Sequence, residues 1–210
     1  KVLDIGCNTG ELGSLLIEKK CEVTGIDYNV KQNQKLKNYI NHNLDNGLPE
    51  INYDQFDYIL ILDVIEHLKD PENFFVELKE KLKNNSKAKV LISTPNIAFF
   101  IMRFMLLFGK FNYGSRGILD KTHTRLFTFS SFSNLVRQSD YKVLKTFGVP
   151  APFRLAIGEN LLSKFLEAFN ILLIKLSKKL FSFQIFLVIK PNTSLDKLLE
   201  QAETNAKDKI

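Results

Sequence analysis

The chain has 210 residues, of which 45% are hydrophobic and 11% are aromatic, and its formal net charge is +6. That length fits one domain with a single core and some appendages. The longest apolar run, IAFFIMRFMLLF, contains Arg103 and is too short to span a bilayer, so we expect a soluble or peripheral protein. The two cysteines, Cys7 and Cys21, lack the C-x-x-C spacing of metal or redox sites, which favours reduced thiols and a cytoplasmic location.

The charge is unevenly distributed along the chain. Residues 1–95 contain 12 Lys and Arg against 15 Asp and Glu, whereas residues 96–190 contain 14 against 4. A strongly basic second half indicates an anionic substrate or an anionic surface. The alternative is that many of these lysines form an ordinary solvated face.

The first ten residues, KVLDIGCNTG, carry the most informative pattern. An apolar run ends at Asp4, Gly6 and Gly10 bound a loop, and the amphipathic ELGSLLIEK follows, which predicts a buried strand, a turn and a helix. Glycine lets the backbone approach a ligand closely, and the free N–H groups of a helix N-terminus attract anionic groups. This stretch therefore predicts a cradle for a nucleotide cofactor.

The spacing of the loop separates the candidate cofactors. The dinucleotide pattern G-x-G-x-x-G would place glycines where this chain has Asn8 and Glu11, and the Glu11 carboxylate would oppose a pyrophosphate. NAD and FAD are therefore disfavoured. A second apolar run, in CEVTGID, ends at Asp27, where a carboxylate can accept hydrogen bonds from both ribose hydroxyls of a cofactor over the loop. The alternative is an ordinary Rossmann-like turn followed by a surface aspartate.

The segment DIGCNTG, residues 4–10, resembles motif I of the class I S-adenosylmethionine (SAM) dependent methyltransferases, D-x-G-x-G-x-G, with Asn8 in place of the middle glycine. Asparagine tolerates a positive φ, so the turn can be kept. The segment FDYILILDVIEHLKDP is similar to their motif IV region, whose loop lies beside the methionine part of SAM. The resemblance implies SAM as the cofactor. The cofactor-binding residues that it implies are Asp4, Gly6, Cys7, Asn8, Gly10, Asp27, Tyr28, Asn43, Leu44 and Asp63.

Two parts of this predicted site have alternatives. In the family an acidic residue at the end of the third strand contacts the adenine amino group, and Asn43 stands at that position in this chain. The amide oxygen of Asn43 can accept the same hydrogen bond. Asp45 is the alternative residue if the register is shifted by two. The group Asp63-x-x-Glu66-His67 could share a divalent metal, and some ubiquinone-type O-methyltransferases carry a similar group linked to Mg²⁺. We favour the alternative that Glu66 and His67 orient the loop or contact substrate, so no metal ligand is predicted.

The rest of the chain alternates predicted strands and helices. Strands after the first two are predicted at 39–44, 56–62, 89–95, 141–149 and 184–189. Helices after the first are predicted at 30–38, 71–82, 97–111, from Ser130 or Ser131 to Gln138, at 161–176 and at 193–204. This βαβ pattern predicts an α/β fold, a Rossmann-like doubly wound sheet of seven mostly parallel strands. In the family that the chain resembles, the last strand is antiparallel and lies between strands five and six.

We expect one methyltransferase domain over residues 1–192, followed by a C-terminal helix and tail over 193–210. Two segments interrupt the alternation: a helical insertion over 96–129, after strand five, and a second over 150–182. Long ordered insertions at the carboxyl edge of such a sheet are usually lids or substrate platforms.

The first insertion contains the remaining motif. GILDKTHTRLFTFSSFSNLV closely resembles a D-x-T-H-x-R-x-F-T element of methyltransferases associated with cell-surface polysaccharide and lipid-glycan pathways, and Asp120, His123 and Arg125 are its polar members. The resemblance implies O-methylation of a sugar or a lipid-linked glycan. A sugar hydroxyl is a poor nucleophile at neutral pH, so a general base is expected, with His123 the first candidate and His67 the second. The alternative is that His123 only braces the lid.

Other functions and partners remain open from the sequence. A non-catalytic SAM-binding module and an RNA methyltransferase are the rival functions; no RNA-binding module is recognisable, so no nucleic-acid partner is expected. The two insertions combine Phe, Met and Leu with Arg and Lys, which suits peripheral contact with an anionic membrane. The alternative is that their helices pack on each other as a lid and hide the aromatic side chains. The oligomeric state is not predicted.

Overall fold

The computed structural model describes residues 1–28, 35–85 and 87–192, and a single sheet organises them. The strands are β1 Val2–Ile5, β2 Val23–Asp27, β3 Asn38–Asn41, β4 Tyr58–Leu62, β5 Lys89–Pro95, β6 Tyr141–Val149 and β7 Gln184–Pro191. Their order in the sheet is β3-β2-β1-β4-β5-β7-β6. The first five run parallel, and β7 lies antiparallel between β5 and β6. The predicted fold class is confirmed, including the position of the last strand.

The central strands are apolar because helices cover both faces of the sheet. All four residues of β1 are buried, and Ile59 and Ile61 of β4 are fully buried beside it. Parallel strands that are buried on both faces carry such near-continuous aliphatic runs. Since β1, β2 and β4 are parallel, the residues that follow them meet at the same edge of the sheet.

Seven α-helices accompany the sheet in the described residues. They are α1 Glu11–Glu18, α2 Pro71–Lys81, α3 Phe100–Leu107, α4 Phe129–Gln138, α5 Phe153–Ile157, α6 Leu161–Leu176 and α7 Lys178–Phe181. The α2 start is as predicted, because the Asp70 side chain accepts a hydrogen bond from Asn73 N at 2.9 Å and Pro71 fills the first position. The side of α2 that packs on the core carries Phe74, Phe75 and Leu78, and Leu82 follows at its end; all four are buried.

Three predicted boundaries are wrong. The cap of α4 is Thr128, not Ser130 or Ser131; Ser131 is the reciprocal partner in a capping box with Thr128. The helix predicted over 97–111 is only α3, because Phe99 adopts an extended conformation before it and Gly109, with φ 68°, ends it. The strand predicted over 39–44 stops at Asn41, since the chain turns into a 3₁₀ turn at Leu44–Asn46.

Some predictions fall on residues that the structure does not describe. The helix predicted over 30–38 lies largely on 29–34, outside the described residues, and the described residues 35–37 are not helical. The C-terminal helix predicted over 193–204 and the tail at 205–210 also lie outside the described part of the chain.

Candidate functional site

The glycine loop after β1 is held in a left-handed conformation at three positions. The φ angles of Gly6, Asn8 and Gly10 are 79°, 52° and 74°. Asparagine adopts this region more readily than most residues, which explains how Asn8 replaces a glycine. A Cβ atom on Gly6 would lie 2.3 Å from Val64 Cγ2, so a side chain there would collide with the loop after β4. Gly6 therefore serves close packing of two loops as well as the turn.

Asp27 ties the glycine loop to the end of β2. Asn8 N donates a hydrogen bond to Asp27 Oδ2 at 2.8 Å, and Gly6 N donates to Ile26 O at 2.7 Å. Asp27 also lines a cavity at this edge of the sheet, where a carboxylate can accept hydrogen bonds from ligand hydroxyls. The neighbouring Asp4 is buried; burial, followed by the Asp27 charge, raises the pKa of Asp4 to about 6. The charge of Asp27 therefore acts on a second, buried carboxyl group near the end of β1.

A cavity of about 770 Å³ opens at this edge of the sheet. It is lined by the predicted cofactor residues Gly6, Asn8, Asp27, Tyr28, Asn43, Leu44 and Asp63, together with Asp45, Leu62, Val64, His67, Leu68 and Thr122. Three other predicted cofactor residues, Asp4, Cys7 and Gly10, are not in its wall. Its volume lies within the range of small-molecule sites. The strand-end residues identified in the sequence are therefore brought together around one space.

At the wall expected to receive adenine, Asn43 and Asp45 are both present. Asn43 Oδ1 accepts from Asp45 N at 3.0 Å and caps the 3₁₀ turn, while Asp45 Oδ2 lies 3.0 Å from Lys69 Nζ. The amide oxygen of Asn43 retains a second lone pair for a ligand donor.

Asp63 lies at the end of β4 in an uncommon conformation, with φ 54°. Its Oδ1 accepts from Ser93 Oγ at 2.8 Å and its Oδ2 accepts from Gln184 Nε2 at 2.6 Å. The antiparallel direction of β7 brings Gln184 to this edge, where it pairs with Pro95 of β5. Sequence reasoning missed Ser93 and Gln184, because only the three-dimensional strand order brings them to Asp63.

The two motifs resembling methyltransferase elements dock on each other through backbone hydrogen bonds. Thr124 N donates to Glu66 O at 2.8 Å, Arg125 N donates to the same oxygen at 3.2 Å, and Thr124 Oγ1 lies 2.7 Å from Leu68 O. Thr122 N donates a hydrogen bond to Asp120 Oδ1 at 2.8 Å. This bond stabilises the turn that precedes Thr124. The insertion is thereby attached directly to the loop that follows β4.

This docking places His67 against His123. Their ring centroids are 4.8 Å apart, with the rings at 70°. His67 Nδ1 lies 3.2 Å from Thr122 O, and His123 Nδ1 lies 3.0 Å from Ile118 O. A carbonyl oxygen only accepts, so each Nδ1 carries the proton and, in the neutral ring, Nε2 is the basic nitrogen. His67 and Thr122 line the cavity. His123, which follows Thr122 in the chain, is not among the lining residues.

Glu66 is a buried carboxyl between these elements, with 1% of its surface exposed. Within the described part of the chain, neither of its carboxyl oxygens has a hydrogen-bond partner, and the buried Thr94 hydroxyl is a polar neighbour. Burial, followed by the Asp63 charge, raises the pKa of Glu66 to about 8. A buried acid that stays protonated at neutral pH is typical of functional sites.

One oxygen of Glu66 and one nitrogen each of His67 and His123 lie within 4.8 Å of one another. Such a set could bind a divalent cation if Glu66 ionised. It differs from the acidic-x-x-Glu-His group considered in the sequence, because Asp63 is bonded to Ser93 and Gln184 and His123 takes its place.

Comparison with known proteins identifies the family. A family model described as a methyltransferase domain matches residues 1–146. The chain belongs to this methyltransferase family. The predicted enzyme class, a SAM-dependent methyltransferase, is thereby confirmed at the level of the family.

A curated relative is the ubiquinone biosynthesis O-methyltransferase of Idiomarina loihiensis, 33% identical over 109 residues, which are 46% of this chain and 42% of the relative. The chain thus spans less than half the length of this relative. A solved SAM dependent methyltransferase from Archaeoglobus fulgidus has a TM-score of 0.55 at 24% identity, over 91% of this chain and 85% of that one. A Burkholderia thailandensis 1,6-didemethyltoxoflavin-N1-methyltransferase, solved with S-adenosylhomocysteine, has a TM-score of 0.56 at 15% identity, over 91% and 71%. At these identities the solved structures show the shared fold.

Proposed function

We propose that this methyltransferase moves the methyl group of SAM to a hydroxyl of a small acceptor. The observation that carries the proposal is the placement of His67, with its basic Nε2, in the wall of the cavity that the glycine loop and Asp27 bound. A cofactor site and a proton acceptor thus share one space. The names of relatives such as the Idiomarina loihiensis O-methyltransferase support transfer to oxygen.

The residues present fit SAM. Asp27 offers carboxylate oxygens for the ribose hydroxyls, and Asn43 or Asp45 offers an acceptor for the adenine amino group. Asp63, held by Ser93 and Gln184, presents a fixed negative charge at the end of β4 for the amino-acid part of the cofactor. A cavity of about 770 Å³ leaves room for a second reactant. In this arrangement Gly6 and Asn8 form the floor of the site.

SAM supplies a methyl group already activated by its positively charged sulfur. The residues of the chain hold the acceptor oxygen in line with that methyl group and exclude water, which are the main sources of rate in such a displacement. In such a transfer the proton of the acceptor hydroxyl would pass to Nε2 of a histidine. The sequence ranks His123 first, but His67 is the histidine that lines the cavity, so we assign the base to His67. His123, whose ring packs against that of His67, is the second candidate.

We assign the acceptor to the sugars or lipid-linked glycans on the basis of the D-x-T-H-x-R-x-F-T element around His123. The insertion over 96–129 serves as the acceptor platform within a methyltransferase domain of residues 1–192. Its first residue anchors it firmly: Asn96 is fully buried and Asn96 Nδ2 donates to Ser182 O at 2.9 Å. Thr122 of the same insertion reaches the cavity wall. The second insertion, over 150–182, supports the first through the hydrogen bond from Asn96 to Ser182. We expect the enzyme to work in the cytoplasm.

The test is methyl transfer from labelled SAM into three separate acceptor pools: sugar nucleotides with lipid-linked glycans, catechol-type phenols and cellular RNA. Label in the first pool, lost in His67→Ala and Asp27→Ala variants, is the expected outcome. Label in the phenols would retain O-methylation but overturn the glycan assignment. Label in RNA would overturn the acceptor class. SAM binding measured by calorimetry without label in any pool would indicate a non-catalytic SAM-binding module.

A further inference from the structure

Helix α6 is oriented with its apolar side outward. Successive residues of an α-helix are about 100° apart, so six of its large apolar side chains fall within an arc of about 100°. These residues, here called the α6 outer face, are Leu161, Leu162, Phe165, Phe169, Leu172 and Leu176, and each exposes between 48% and 86% of its surface. A helix of a globular protein normally turns such a stripe toward the core.

The two fully buried residues of α6 are polar and hydrogen-bonded, and the half-buried Leu166, Leu173 and Ile174 lie on the same side. Ser163 and Asn170 are its buried residues, at 0% and 3% exposure. Asn170 Oδ1 accepts from Ala151 N and Asn170 Nδ2 donates to Phe181 O, both at 2.9 Å. These bonds fix which side of the helix faces the protein, because a buried amide left without partners would be costly. The outward direction of the apolar residues is therefore built into the fold.

A second exposed apolar helix, α3, contacts α7, which follows α6 in the chain. Helix α3 has no buried residue, and Phe104 and Leu107 expose 62% and 79% of their surfaces. The ring of Phe100 in α3 lies 5.6 Å from that of Phe181, whose carbonyl Asn170 binds. The alternative, in which the helices of the two insertions pack on each other and hide their aromatic side chains, does not hold for Phe104, Phe165 and Phe169, which are exposed.

We propose that the α6 outer face, together with α3, is an interfacial surface that docks the protein on an anionic lipid membrane. Exposed Lys164 and Lys175 lie on one flank of the apolar arc, 40–60° from its edge at about 100° per residue. Lys178 and Lys179 follow directly in α7, and residues 96–190 carry ten more basic than acidic residues. Apolar side chains enter the head-group region while these lysines meet lipid phosphates.

Other occupants fit this surface less well. A second copy of the chain would bring two strongly basic segments together, and like charges across an interface oppose association. Helix α6 has 16 residues and is about 24 Å long at 1.5 Å per residue, shorter than the hydrocarbon core. Among the described residues, no helix is long and apolar enough to cross a membrane. The helix is therefore placed along the membrane plane, and this docking does not depend on methyl transfer.

Vesicle sedimentation tests the proposal. The wild-type chain should pellet with phosphatidylglycerol vesicles at low salt, bind phosphatidylcholine vesicles poorly, and be released at about 1 M salt, where charges are screened within a few ångströms. The double variant Phe165→Ser with Leu172→Ser should lower the partition into vesicles at least tenfold. The matched control is Leu15→Ser with Val76→Ser, which removes apolar side chains exposed by 55% and 53% on α1 and α2.

A charge pair completes the test. Lys164→Gln with Lys175→Gln should lower binding to anionic vesicles roughly 25-fold, at about fivefold per lysine, whereas Lys19→Gln with Lys89→Gln should change it little. Circular dichroism and SAM calorimetry verify that each variant is folded. Failure of the wild-type chain to pellet, or equal losses in the controls, would overturn the proposal. A dimer in analytical ultracentrifugation that the Phe165/Leu172 variant dissociates, without vesicle binding, would assign the surface to a second copy.

Discussion

Glu66→Gln should make the protein more stable at alkaline pH and remove most of the pH dependence of its stability between pH 6 and 8. In the native protein burial holds the pKa of Glu66 at about 8, against an ordinary 4.5. Between these values the unfolded chain has released the proton and the native chain has kept it. The native state then binds more protons, so stability must fall as the pH rises.

The size of the effect follows from the gap between the two pKa values. At about 1.4 kcal/mol for each pH unit, the full loss of stability between pH 4.5 and 8 is roughly 5 kcal/mol. The buried Asp4 acts in the same direction, but its pKa of about 6 means that its contribution is complete near pH 6. Between pH 6 and pH 8, of these two residues, it is the contribution of Glu66 to the free energy of unfolding that continues to fall. The expected loss of stability over this interval is about 3 kcal/mol.

Urea unfolding at pH 6 and pH 8, with EDTA present to remove divalent cations, measures this loss. Wild type should lose about 3 kcal/mol across the interval, and Glu66→Gln should lose much less because glutamine has no proton to release. The matched control is Glu80→Gln, an exposed acid of α2, which should follow wild type. Equal slopes for wild type and Glu66→Gln would refute the assignment of a protonated buried Glu66. If added Mg²⁺ raises the stability of wild type but not of Glu66→Gln, the cluster with His67 and His123 binds the metal.

Three further variants test the site. Asp27→Ala should weaken SAM binding roughly 10- to 100-fold in calorimetry, because lost charge-assisted hydrogen bonds cost about 1.5–3 kcal/mol, whereas the exposed Asp54→Ala should leave the affinity unchanged. His67→Ala should keep SAM affinity but lower kcat by about 10²–10⁴, because His67 is the histidine in the cavity wall. The comparison variant is His123→Ala, and activity within a few-fold of wild type would leave His123 as a brace. Gly6→Ala should lower both stability and SAM affinity, since its Cβ would meet Val64 Cγ2 at 2.3 Å and its φ is 79°. Adding Val64→Ala relieves only the clash, so thermal melts should show partial rescue.

The sheet and the cofactor loop could be predicted because their signals are local. Glycines at 6 and 10 and an acid at the end of β2 lie within 27 residues of the first strand, and each follows an apolar run. Helix boundaries were less predictable where the residues were chemically equivalent. Thr128 and Ser131 both carry a hydroxyl that can cap a helix, and in the structure each bonds to the other's backbone N–H, so composition alone does not identify the cap.

The supporting contacts of the site had no local signal. Gln184 and Asp63 are 121 residues apart, and their hydrogen bond exists because β7 enters the sheet antiparallel beside β5. The docking of Thr124 on the Glu66 carbonyl joins residues 58 apart in the same way. The sequence motifs singled out Glu66 and the neighbours of Thr124, His123 and Arg125, but did not indicate that the two segments touch.

Helix α6 shows the limit of periodicity most clearly. Apolar residues at 161, 165, 169, 172 and 176 predict a helix with one apolar side, but periodicity does not say what that side faces. The deciding residue is Asn170, whose amide completes the backbone hydrogen bonding of Ala151 and Phe181 and so must face inward. Turning the helix to bury its apolar side would leave the Ala151 N–H and the Phe181 carbonyl without this partner and expose Asn170. From the sequence alone, a polar residue opposite an apolar stripe, such as Asn170, would usually be assigned to solvent. In the structure Asn170 is buried, and the solvent-exposed side carries the apolar residues with Lys164 and Lys175 beside them. The orientation of α6 is therefore determined by two backbone groups outside the helix, which no property of its own sequence reveals.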